Sequence, residues 1–193
     1  MNDFIPTIPA LDDILGGGIP AGRLTQIRST RWAEVSGVVD ALRVAAPGPT
    51  APFDARAILE CADEHPVVYV HAPAMDPNTT TTETYRHVTG VMRRLCVKLD
   101  NRPSAVVFLA DVRERTGVVF GSPTDEGNAL RFYTSLRIDL LPRPNGSVLV
   151  RTLKNKRAAP FRSVSFTLAD GALTVVPTPT WEQADADARA AIL

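Results

Sequence analysis

Two short runs, "VVYV" at 67–70 and "VVFL" at 106–109, are apolar at every position and too short to make a helix. Each reads as a strand buried on both faces. Between them Val88, Val91, Met92, Leu95 and Leu99 recur every three or four residues, the stripe of a helix with one face in a core. Strands of this kind joined through a helix are parallel neighbours, because a parallel pair needs a long crossover.

The rest of the chain keeps to this plan. A strand over 23–27 leads to a helix carrying Val35, Val38, Val39 and Leu42 that ends near Val44. The stretch "AAPGPTAPF", with three prolines around Gly48, reads as a linker, and Asp54 caps a short helix through Cys61. Asn128 caps a helix over 129–134; strands over 136–141 and 148–153 follow, joined by "RPNG", and Asp170-Gly171 turns a final hairpin. The expected fold is therefore α/β, a mostly parallel twisted sheet flanked by helices, with antiparallel strands toward the C-terminus. Thr180 and Gln183 form a capping box for a last helix with a narrow stripe of Trp181, Ala184, Ala188 and Ile192. That stripe must dock, either on the chain's own sheet or in a partner's groove. The expected organisation is a core over 1–177 and a helical tail over 178–193.

Composition sets limits. In 193 residues, 21 basic and 21 acidic side chains cancel, so no global field draws the chain to a polyanion and any such site is local. Cys61 and Cys96 have no C-x-x-C partner and read as core thiols in a reducing, cytoplasmic setting. No leader or membrane span is expected. His65, His71 and His87 share no ligand spacing, so neither a metal nor another cofactor is expected.

The stretch "GGGIPAGRLTQIRSTRWAE" from Gly16 is a glycine turn, a strand and the approach to a helix. A nucleotide-binding protein places its phosphate loop after such a strand: glycines let backbone N–H groups face the phosphates, a Lys reaches them, and a Ser/Thr holds Mg²⁺. Here no glycine lies between Gly22 and Gly37, Arg31 and Trp32 bring bulk, and no lysine precedes Lys98. Arg28 or Arg31 can attract an anion, but a guanidinium fork fits that lysine's role poorly.

"ADVRERTGVVFGSPTDEGNALRFYTSLRIDL" and "LKNKRAAPFRSVSFTL" resemble the second DNA-binding loop and the Lys-x-Lys segment of the bacterial RecA recombinase core. "PALDDILGGGIPAGRLTQI" is similar to that family's entry into the phosphate loop, and "TGVMRRLCVKL" to its helix after the first DNA-binding loop. The resemblance implies a RecA-like core, and it fails where ATP would be handled. His71 stands where the family has a Mg²⁺-linked Asp, and the strand bearing its catalytic Glu is expected to be deleted. The family's N-terminal filament arm and C-terminal domain are expected to be missing as well.

By the same resemblance Arg113, Arg115, Gly127 and Asn128 match positions along single-stranded DNA, beside Val112 and Thr116, and Arg86 and Arg93 match first-loop and adjacent basic positions. Inherited surface or a plain solvated helix face is the alternative. Lys154 and Lys156 match lysines that reach a neighbour's ATP, and here serve a partner or subunit interface or are surface charge. Phe132 resembles an interface aromatic, with a core role as the other reading, and Trp181 is a candidate partner anchor. Asp111 and His71 end neighbouring strands without a nucleophile or oxyanion site, so no catalytic residue is expected.

The expected function is a non-catalytic RecA-like adaptor in DNA repair or damage tolerance. In general design it resembles the ImuA-type accessories of an error-prone polymerase complex, whose partner would be an ImuB-like polymerase subunit, with weak single-stranded DNA binding and a small homo-oligomer possible. A modulator capping a RecA filament is the alternative, and a vestigial weak ATPase the third.

Overall fold

The structure, a computed structural model, describes residues 3–73, 82–111, 127–169 and 172–178, with the backbone alone at Gly127 and Asn128. The chain opens with β1 (Phe4–Ile5), α1 (Pro9–Leu15) and β2 (Ile19–Pro20), and β1 and β2 pair antiparallel in a small sheet of their own. Pro9 suits the helix start, where no N–H is needed. At the other end Gly16 takes the left-handed φ of 85°, and its N–H and that of Gly17 donate to the Asp12 carbonyl at 2.8 and 2.9 Å. A Cβ on Gly18 would lie 2.2 Å from the Ile5 carbonyl oxygen. The glycine run thus closes a helix and lets two strands approach.

Next come β3 (Leu24–Ser29), α2 (Trp32–Ala45), β4 (Thr50–Ala51), α3 (Ala55–Glu64), β5 (Val67–His71), α4 (Thr82–Leu99) and β6 (Ala105–Asp111). The chain continues through α5 (Gly127–Tyr133), β7 (Leu136–Pro142), β8 (Val148–Asn155), β9 (Ser163–Ala169) and β10 (Ala172–Val176). Strands β3 to β10 form one sheet in the order β10-β9-β8-β7-β3-β6-β5-β4. From β4 to β7 every pair is parallel, and β7 to β10 are antiparallel. The mixed α/β expectation holds.

Alternation along the strands builds two cores. On one face Leu11 and Leu15 of α1 and Val35, Val38, Val39 and Leu42 of α2 pack on Ile27, Ile138 and Val150. On the other, Ile58 of α3 and Val88, Val91, Met92, Leu95 and Leu99 of α4 cover Val68, Val70, Val106 and Phe108. Each such side chain contributes about 1.5–3 kcal/mol on burial, so the helix stripes and the β-branched strands hold each other in place.

Several boundaries differ from expectation. The proline-rich linker contains β4, two residues on the sheet edge beside β5, because backbone pairing needs no side-chain pattern. Helix α3 runs three residues past Cys61, to Glu64, since its buried stripe extends to Ala62. Asn128 is not a cap: a cap residue keeps extended backbone, and helix α5 already begins at Gly127. Asp54 does cap α3, accepting from the N–H groups of Arg56 and Ala57 at 2.9 Å each, and these bonds hold its carboxyl below the usual value. Both cysteines are free and half-buried.

Candidate nucleic-acid interface

Helix α4 buries one stripe and turns the other face to solvent, and that outer face carries Arg86 and Arg93. Seven residues make about two turns, so the two guanidiniums share one side of the helix. Glu83 is the one acidic side chain within the helix. The arginines border a shallow groove of about 370 Å³ lined also by Thr82, Tyr85, Thr89 and Gly90. A Cβ at Gly90 would meet nothing within 4 Å, so the groove is open where the glycine sits. A phosphate chain laid on this face would meet two cations, a tyrosine and hydroxyl donors, the ingredients of single-strand binding.

At the carboxyl end of β3, where a phosphate loop would follow, Ser29 ends the strand and Trp32 begins α2. Only Thr30 and Arg31 lie between them. Ser29 Oγ donates to the Leu140 carbonyl at 3.0 Å and accepts from the Arg31 N–H at 3.2 Å, which pins this connection to the neighbouring strand. Trp32 packs partly buried against the core. Arg31 donates to the Pro142 carbonyl at 3.2 Å and pairs with Glu34 at 3.3 Å. Arg28 Nε donates to Asp139 Oδ1 at 3.0 Å, and Arg151 takes the other oxygen at 2.9 Å. Both arginines read as anion attractors in the sequence therefore hold acceptors of their own chain.

The edge strand β4, which pairs with β5 in the stretch where a deletion was expected, ends in Ala51 and carries no acid. His71 and Asp111 are both exposed at strand ends, but the β5–β6 ladder sets His71 opposite Leu109, two residues short of Asp111. Among the described residues no cluster of His, Cys, Asp or Glu is built to hold a metal ion, and no helix is long and apolar enough to cross a membrane.

Lys154 donates to the Arg131 and Phe132 carbonyls at 2.9 and 3.1 Å, closing the C-terminal end of α5. Burial, then repulsion from Lys156 and Arg137, holds its ammonium below the usual lysine value. Lys156 is exposed. Phe132 is 71% exposed and meets the Tyr133 ring edge-on at 5.0 Å between centroids, so its core reading is corrected. Arg113, Arg115, Val112, Thr116 and Trp181 lie outside the described residues, and Gly127 and Asn128 contribute helical backbone only.

Sequence reasoning missed Tyr85, Thr89 and Gly90, whose spacing of one helical turn around Arg86 and Arg93 was the available signal. It also missed Phe161, 73% exposed and held at a left-handed φ of 62°. No periodicity marks that residue, because its conformation comes from the Phe161 N–H reaching the Thr152 carbonyl at 2.9 Å.

A family model described as the RecA N-terminal domain matches residues 74–172, just over half of the chain. The chain belongs to the RecA N-terminal domain family. Protein RecA of Caulobacter sp. (strain K31) is 36% identical over 99 residues, 45% of this chain and 27% of that relative. Protein RecA of Caulobacter vibrioides (strain NA1000 / CB15N) matches to the same extent. The match thus spans about a quarter of each RecA. The family segment runs from before α4 into β10 and so includes the cationic helix, while β3 and α2 lie outside it.

Proposed function

We propose that this chain is a non-catalytic RecA-like adaptor in DNA repair or damage tolerance, an ImuA-type accessory of an error-prone polymerase complex that binds single-stranded DNA weakly. The observation that carries this reading is the contrast between two sites on opposite faces of one sheet. Helix α4 keeps a cationic groove, whereas β3 passes to α2 through two residues that are bonded to the chain itself. A phosphate loop needs enough glycine-rich backbone to wrap the phosphates and a lysine to meet them, and a two-residue connection has no length for that. Resemblance to RecA supports a role in DNA transactions, and the small number of cations bordering the α4 groove argues for weak rather than tight binding.

The test measures binding of a fluorescent oligothymidylate across a salt series. The Arg86→Ala/Arg93→Ala double variant should weaken binding and flatten the salt slope by about 1.4 units, roughly 0.7 per phosphate contact on single strands. Identical behaviour of wild type and variant at low salt would remove α4 as the site. Affinity purification from the native host should recover polymerase subunits; recovery of the recombinase alone would favour the filament modulator.

A further inference from the structure

At the opposite end of the sheet from the β3–α2 connection lies a cleft of about 410 Å³, lined by Arg23, Cys96, Tyr133, Ser135, Lys156 and Arg157. It is assembled by the residues entering β3, Ser135 just before β7, the residues after β8 and the last turns of α4 and α5. Two of its cations already show what they accept. Arg23 pairs with Asp100, and Arg157 pairs with Asp3 at 2.8 Å. The Lys156 ammonium has no hydrogen-bond or ion-pair partner among the described residues. It stands near Lys154, and its repulsion, with that of Arg137, adds to the lowering of the Lys154 value.

The geometry points to this cleft as the seat of an acidic segment of a protein partner, whose carboxylates meet Lys156 and share Arg23 and Arg157. This rests on the adaptor reading in that the partner is a protein. Nucleic acid fits the cleft poorly. Asp3 and Asp100 are 68% and 51% exposed on the side chain, at the rim, and would repel a continuous phosphate chain, whereas peptide carboxylates can be spaced between them. The negative C-terminal end of α4 repels phosphate in the same way. Phe132, largely exposed next to cleft-lining Tyr133, supplies an apolar anchor such as protein interfaces use.

The full chain is titrated with fluorescein-labelled octaglutamate at low salt. Saturable binding is expected, and Lys156→Glu should weaken it about tenfold, the loss of one charge-assisted contact, with melting temperature and oligothymidylate binding unchanged. Arg86→Glu, about 15 Å along α4 from Cys96, should do the reverse and spare the peptide. In Cys61→Ser protein the one remaining thiol is Cys96, and bound octaglutamate should slow its alkylation. The inference is overturned by absence of saturable binding, by equal weakening from Arg86→Glu, or by inorganic phosphate displacing the peptide at equal charge. Peptide binding lost only through Lys156→Glu supports the cleft even where neither variant changes DNA binding, a result that would count against the DNA reading alone.

Discussion

Replacing Asp139 by Asn keeps the shape of the side chain and removes its charge, and the strand register shows what that does. Asp139 stands opposite Arg28 across β3–β7 and opposite Arg151 across β7–β8. Its side chain is 6% exposed, and those of Arg28 and Arg151 are 16% and 21% exposed. The carboxylate therefore joins three strands in a nearly dry environment, and its loss leaves two guanidiniums facing a neutral amide. Breaking a buried ion pair costs about 3–5 kcal/mol, and the residual solvent at the arginines places this case near the lower end, about 3. In a domain of this size each kcal/mol moves the midpoint by about 2–4 °C, so Asp139→Asn should melt roughly 6–12 °C lower. Circular dichroism at neutral pH reads this directly. Sulfate, able to stand in for the lost carboxylate, should raise the variant's midpoint more than the wild type's. Glu60→Gln, which breaks the solvent-exposed Arg56 pair on α3, should leave the midpoint unchanged. An Asp139→Asn protein melting within about 2 °C of wild type would refute the reasoning, and with it the claim that Arg28 is committed.

Mg-ATP should neither raise the melting temperature nor bind saturably at micromolar concentration; calorimetry showing that it does would end the non-catalytic reading. Tyr69 is fully buried, its hydroxyl donates to the Ala46 carbonyl at 2.8 Å, and burial pushes its pKa up to about 12. Because the folded value is raised, its contribution is intact below about pH 10 and is lost as pH rises toward 12; Tyr69→Phe should flatten that part of the alkaline unfolding curve read by phenolate absorbance. Gly48→Ala should cost about 2 kcal/mol or more, since its Cβ would fall 1.8 Å from the Val67 carbonyl oxygen. Gly90→Ala, with open space around it, should instead stabilise α4 by roughly 0.5–1 kcal/mol in urea melts.

What the sequence determined by itself was local. The runs at Val67–Val70 and Val106–Leu109, the stripe from Val88 to Leu99 and the Asp54 cap are each carried by residues within a few turns of one another, and each is found in place. Periodicity reports which face a residue presents, and the hydrophobic effect then obliges that face to be covered. The order of the sheet was decided by tertiary structure, since β3 pairs with β6 and β7 far along the chain and no local pattern encodes that choice. The same holds for charge. Arg28, Arg31 and Lys154 read alike in the sequence as available cations, but packing brought each an acceptor from elsewhere in the fold, while Lys156 received none among the described residues. A side chain's partners depend on which segments meet in space, so the glycine run that resembled a phosphate site became a helix cap and a strand contact, and the cationic cleft arose from segments well separated along the chain.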